Sequence, residues 1–131
     1  MPASERRILI VDDEESIREL LTKAFEEAGY EPTCVASAEE ALEMAKNNHF
    51  QVYFLDLLLP GMNGVELCRR IRKAKPTAFI FAMTGYASVF DLVQCREAGF
   101  DDYFPKPFKI QLLTQTAKES FAKLDRWRKG I

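Results

Sequence analysis

Gln51-Val52-Tyr53-Phe54-Leu55-Asp56-Leu57-Leu58-Leu59 contains one charged residue, Asp56, in a run that is otherwise apolar after its first position. An unpaired carboxylate in the interior of a buried strand is very costly. At the strand's carboxyl end the same group stands at the mouth of the crevice where open α/β sheets bind ligands. A second apolar run, Ile8-Leu9-Ile10-Val11, ends in Asp12-Asp13. Two hydrophobic strands that both deliver carboxylates to one edge point to a cation site, a phosphoryl acceptor, or both.

Working outward, short apolar runs alternate with helical patterns along the chain. Strands are predicted at Arg7–Val11, Glu31–Val35, Val52–Asp56, Phe79–Met83 and Asp102–Phe104. Ile17, Leu20, Leu21, Ala24, Phe25 and Ala28 follow the spacing of a helix with one buried face, and Gly29 supplies a left-handed stop. Ser37 and Glu40 have the spacing of a capping box, opening a helix that runs through about Asn47. A third helix is predicted from Gly64 to Lys75, ended by Pro76. A fourth runs from Ser88 to Ala98 and stops at Gly99; a fifth starts near Lys109 and reaches toward Lys129. This alternation implies an α/β fold, a doubly wound, mostly parallel sheet with helices on both faces. Right-handed crossovers then gather the loops after the strands along one edge.

Composition narrows the function. With 131 residues, 47% hydrophobic and 29% charged, the chain reads as one globular domain. The domain is expected over residues 1–131, with its core at about 6–125 and with 126–131 as the stub of a linker to an output domain. A net charge of −2 offers no footprint for direct nucleic-acid binding. No apolar run reaches the roughly 18 residues of a membrane span, and the apolar stretch Ile8–Val11 is too short for a secretory signal. The expected location is cytoplasmic. Cys34, Cys68 and Cys95 are odd in number and widely spaced, as befits reduced thiols without metal-ligand spacing. His49 is expected at the surface with no role.

The loops after the first, third, fourth and fifth strands contribute Asp12-Asp13, Asp56, Thr84-Gly85 and Lys106-Pro107. If the three carboxylates converge to about 4 Å, each pair repels by roughly 4 kcal/mol at an effective dielectric near 20. Such a cluster must take up protons, bind a cation or pair with a base. A hard divalent ion, Mg2+ above all, suits two or three carboxylates, a backbone carbonyl and waters. Lys106 adds a compact positive charge, and Thr84 a hydroxyl donor. Together they form a phosphoryl-transfer site with an aspartate nucleophile.

These motifs resemble the receiver domain of two-component response regulators. The matching residues are Ile8 to Glu14, Asp56-Leu57 with Pro60-Gly61-Met62-Asn63-Gly64, Thr84-Gly85-Tyr86-Ala87, and Ala98-Gly99-Phe100-Asp101-Asp102-Tyr103 followed by Lys106-Pro107-Phe108. The resemblance implies a (βα)5 flavodoxin-like sandwich with strand order 2-1-3-4-5. It implies that Asp56 accepts a phosphoryl group from a sensor histidine kinase, a phosphotransfer protein or a small phosphodonor. Asp12, Asp13, Asp56 and the backbone carbonyl of Leu58 would hold Mg2+. Lys106 would contact the phosphoryl group across a cis Lys106-Pro107 bond, Thr84 would hydrogen-bond it, and Tyr103 would move inward when Thr84 shifts. The protein would then be a switch and not an enzyme. Its readout surface would be the fourth helix, fifth strand and fifth helix, recognised by a homodimer, a partner or an attached output domain.

Two positions that shape water access in this family are Leu58 and Tyr86 here, which points to a long-lived acyl phosphate. In the fourth helix, Val89, Phe90, Leu92 and Val93 are more apolar than one buried face requires, so some should be exposed. At the end, Ile110, Leu113, Ala117, Phe121, Leu124 and Arg128 keep helical spacing for about five turns, as a coiled-coil seam or linker would. Three other functions fit less well. A dehalogenase-type phosphatase needs a second aspartate where Leu58 stands. A flavodoxin-like cofactor carrier needs a Gly/Ser/Thr loop where Asp12-Asp13-Glu14-Glu15 would repel phosphate. A binding module that has lost phosphorylation would not need all five site residues.

Overall fold

A computed structural model describes residues 6–85 and 89–128. Strand and helix alternate throughout: β1 (Arg7–Val11), α1 (Glu15–Glu27), β2 (Glu31–Val35), α2 (Ala38–Asn47), β3 (Val52–Asp56), α3 (Gly64–Ala74), β4 (Phe79–Thr84), α4 (Val89–Ala98), β5 (Asp102–Pro105) and α5 (Ile110–Arg128). The five strands form one sheet in the order β2-β1-β3-β4-β5, and every pairing is parallel. This is the flavodoxin-like α/β sandwich expected from the alternation and the resemblance. Element bounds match to within about a residue at most ends. β4 and β5 each extend one residue further, to Thr84 and Pro105. The start of the fourth helix at Ser88 and the end of the fifth at Lys129 lie outside the described residues.

Helices on both faces explain why the central strands β1, β3 and β4 read as near-continuous apolar runs rather than alternating ones. Leu9, Val11, Tyr53, Leu55, Ile80 and Ala82 face one core, shared with Ala41, Leu67 and Ala98 of α2, α3 and α4. Their neighbours Ile8, Ile10, Val52, Phe54, Phe81 and Met83 face the other, against Phe25 of α1 and Leu113 and Phe121 of α5. Phe54 centres an aromatic cluster in the second core, with ring centroids 5.3 Å from Phe25 and 5.2 Å from Phe81. Such pairs add about 0.5–1.5 kcal/mol each beyond area burial, and they hold the strand that carries Asp56.

The caps follow local chemistry. Ser37 accepts the Glu40 N–H at 3.2 Å, and its hydroxyl reaches Glu40 Oε1 at 3.5 Å. Asn63, given no capping role above, caps α3 by accepting the Glu66 N–H at 3.0 Å. Gly29 closes α1 with φ +92°, a left-handed backbone that any Cβ would oppose.

Candidate functional site

The parallel register places the ends of β1, β3 and β4 side by side, with Val11 opposite Leu55 and Asp56 opposite Met83. Asp12 follows β1 immediately, and Asp56 is the last residue of β3. One ligand oxygen from each of Asp12, Asp13 and Asp56 falls within 4.8 Å of the others. Asp12 is fully buried and Asp56 is 4% exposed, while Asp13 faces solvent. The three carboxylates expected to converge do so.

Lys106, the residue after β5, closes this edge. Its ammonium donates to Asp12 Oδ2 at 2.8 Å and to Asp56 Oδ2 at 3.2 Å, and reaches Glu14 Oε1 at 3.4 Å. The Lys106–Pro107 peptide is cis, as expected. The Lys106 N–H binds the Thr84 carbonyl at 2.6 Å, so the ends of β4 and β5 are tied together beside the cluster. Thr84 itself is buried. Asp12 is held by its surroundings: its Oδ1 accepts the Glu14 N–H at 2.9 Å, and its carbonyl accepts from Arg18 Nη1 at 2.9 Å. Asp56 Oδ1 accepts the Leu58 N–H at 3.1 Å. One Asp56 oxygen is therefore fixed by backbone and the other by the ammonium.

The electrostatics match this arrangement. Burial raises the Asp56 pKa; the Leu58 amide works against that, Asp12 adds to it, and Lys106 opposes it, leaving the carboxyl above its ordinary value. For Lys106, burial disfavours the charged form. The hydrogen bond and charge of Asp12 and the charge of Asp56 outweigh it, and the pKa rises above the usual lysine value. The ammonium is therefore charged at neutral pH. An all-oxygen donor set with excess negative charge, already drawing a cationic side chain into its centre, fits a hard divalent ion such as Mg2+.

The remaining sequence-predicted residues sit at graded distances from this edge. Tyr103 pairs with Ala82 while Pro105 pairs with Thr84, so Tyr103 lies two residues below the edge, half-buried against the core under α2, α3 and α4. Leu58 stands beside Asp56 with 56% of its surface exposed. Tyr86 and the side chain of Phe90 lie outside the described residues. Of the apolar α4 residues, Leu92 and Val93 are exposed. Glu14 and Arg18 received no role from sequence. Glu14 was legible only as a third acid after the aspartate pair, and Arg18 carried no signal, because its contact is to a backbone carbonyl.

Residues 8–118 match the family model described as the response regulator receiver domain. The chain belongs to that family. The receiver domain of Methanospirillum hungatei JF-1, titled CheY-like, superposes with a TM-score of 0.87 at 36% identity, covering 96% of this chain and 98% of that one. The alkaline phosphatase synthesis transcriptional regulatory protein PhoP of Bacillus subtilis (strain 168) is 40% identical over 103 residues, which are 79% of this chain and 43% of PhoP. The DNA-binding response regulator MtrA of Mycobacterium tuberculosis (strain CDC 1551 / Oshkosh) is 34% identical over 125 residues, 95% of this chain and 54% of MtrA. The chain thus spans about half the length of these curated relatives. Receiver domains are signalling switches of two-component systems, working with sensor histidine kinases. No helix among the described residues of this receiver domain is long and apolar enough to cross a membrane.

Proposed function

We propose that this receiver domain is a phosphorylation switch whose acceptor is Asp56. The observation that carries the proposal is the contact of the Lys106 ammonium with both Asp12 and Asp56 at the edge where three carboxylates meet. A carboxylate oxygen of Asp56 attacks phosphorus. The bond from phosphorus to the donor breaks, a P–N bond for a phosphohistidine or a P–O bond for an acyl phosphate. The electron pair leaves with the imidazole or the carboxylate, and Asp56 becomes an acyl phosphate. Lys106 neutralises charge on the transferring group, and the Thr84 hydroxyl donates to one of its oxygens. Asp12, Asp13, Asp56 and the carbonyl of Leu58 would hold Mg2+, which supplies Lewis-acid stabilisation of the phosphoryl oxygens when bound.

Phosphorylation adds about −1.5 to −2 charges and new acceptor oxygens. Lys106 must then divide its donors between Asp12 and the new group, while its N–H stays joined to the Thr84 carbonyl. Movement at Thr84 is passed to Tyr103 and to the α4-β5-α5 surface, where Leu92 and Val93 are exposed for a second copy or a partner. A kinase, a phosphotransfer protein or a small phosphodonor supplies the group. We assign any DNA binding, as named for MtrA, to the part of such proteins that this chain does not cover.

The test is an intact mass after incubation with acetyl phosphate and Mg2+, beside Asp56→Ala, with light scattering on the same samples. A phosphoryl-sized gain in the wild type alone supports Asp56 as acceptor, and a rise in molar mass identifies dimerisation. An equal gain in Asp56→Ala would refute the assignment.

A further inference from the structure

At the edge opposite the carboxylates, a cleft of about 470 Å³ opens between the starts of β3 and β4 and the last turns of α5. That size falls in the range of small-molecule sites. Its walls are mainly apolar: Phe79 and Ala78 at the start of β4, and Leu124 and Trp127 of α5. Trp127 is 76% exposed, a large ring standing in water beside the opening.

Four of the polar residues lining the cleft fall into two kinds. Arg72 and Asp101 are spent on the fold. The five guanidinium N–H groups of Arg72 are matched by five contacts, from Nε and Nη2 to Gly99 O, from Nη1 to Pro76 O and Ala78 O, and from Nη2 to Asp101 Oδ2. Asp101 Oδ2 also accepts the Ile80 N–H at 2.8 Å. Gln51 and Lys123 are not spent. Gln51 carries a buried side-chain oxygen with no hydrogen-bond partner among the described residues, and leaving such an oxygen unpaired is unfavourable. Lys123 makes no ion pair among the described residues; its ammonium lies 5.9 Å from the centre of the Phe79 ring. With the Asp101 charge neutralised by Arg72, the Lys123 ammonium adds positive charge to a wall that Arg128 also lines.

We propose that this cleft is a second binding site, taking a small aromatic anion. A flat ring would lie between Trp127 and the apolar wall, an acidic group would meet Lys123, and an N–H or O–H donor would satisfy Gln51. The site is independent of the phosphoacceptor. It adjoins the starts of β4 and of β5, the two strands whose far ends hold Thr84 and lead to Lys106.

The probe is 1-anilinonaphthalene-8-sulfonate, which carries fused rings, an anionic group and an N–H donor. Its neutral comparator is N-phenyl-1-naphthylamine, which lacks the sulfonate. Both are titrated calorimetrically into the full chain, the Lys123→Glu variant and the Lys46→Glu variant. Lys46 is exposed on α2 and outside the cleft, so its variant carries the same change in net charge. The expected result is one probe per chain, with affinity reduced about fivefold or more by Lys123→Glu. Lys46→Glu should leave it unchanged, and the neutral comparator should bind at least about fivefold more weakly to wild type. Absence of binding at about 1 mM probe, equal affinities in the two variants, or equal binding of the neutral comparator would each overturn the proposal. Lys123 is exposed, so thermal melts of its variant should match wild type.

Discussion

Asp56 is both buried and held above its ordinary carboxylate pKa, chiefly by desolvation. Its charged form is therefore favoured less by the folded chain than by the unfolded one. The native state binds the proton more tightly, so this group's cost is present above the raised pKa and vanishes as pH falls below the ordinary value. Removing the charge should relieve it. Asp56→Asn is expected to match or exceed the wild type in urea unfolding at pH 7 without Mg2+. Lys106→Met should do the reverse, losing about 3 kcal/mol, because two buried carboxylates lose their shared partner. Titrating Mg2+ should then stabilise the wild type by about 2.7 kcal/mol at a hundredfold excess over its dissociation constant, and Asp56→Asn by less. An equal Mg2+ response in the two proteins would remove Asp56 from the metal site. Leu58 gives a kinetic counterpart: an apolar side chain beside the acceptor cannot position an attacking water. Leu58→Asn should shorten the acyl phosphate half-life by about tenfold, or about 1.4 kcal/mol of barrier, in a single-turnover dephosphorylation assay.

Among the elements, α3 carries the tightest constraint. A Cβ on Gly64 would fall on the carbonyl oxygen of Asp56 and within 2.9 Å of Asp56 C and Leu57 Cα. The obstacle is backbone, which cannot swing aside as a side chain can. Gly64→Ala should cost about 2–3 kcal/mol and, by displacing the end of β3, slow phosphorylation by acetyl phosphate; a wild-type rate at wild-type stability would refute this. The sequence showed Gly64 as the end of a Pro-Gly-Met-Asn-Gly loop and the start of a helix, but not its contact with β3, which is close in space and not in pattern. Arg72 was equally silent. A surface-like arginine on α3 turns out to join that helix to Pro76, Ala78, Gly99 and Asp101. Apolar spacing placed α1 and α5, while the Ser37 cap, Pro76 and Gly99 placed an end of α2, α3 and α4. The Asn63 cap was missed although Asn63 and Glu66 have the same three-residue spacing that was read at Ser37 and Glu40.

At the scale of the whole molecule, the site was more legible than the contacts supporting it. Parallel strands must bring their carboxyl ends together, so strand-end Asp12, Asp56, Thr84 and Lys106 had to meet. Nothing in one dimension says that Tyr53 and Cys68 would share the core under α2, α3 and α4, or that the Lys75 ammonium would meet the Tyr53 hydroxyl at 3.0 Å. That core makes a prediction for alkaline pH. Burial pushes the Cys68 thiol up to about 12 from 9.0 and raises Tyr53 as well. Between those limits the native chain keeps the Cys68 proton that the unfolded chain releases, so stability falls as pH rises above about 9. Lys75 acts oppositely, because burial lowers its pKa and its cost is relieved as pH rises through that range. A comparison of slopes isolates the thiol from the other two groups. Cys68→Ala forfeits some packing at every pH, yet it should flatten the decline in unfolding free energy between pH 9 and 11 by up to about 1.4 kcal/mol per pH unit. Parallel pH profiles for the two proteins would show that the buried thiol does not hold its proton in the native state.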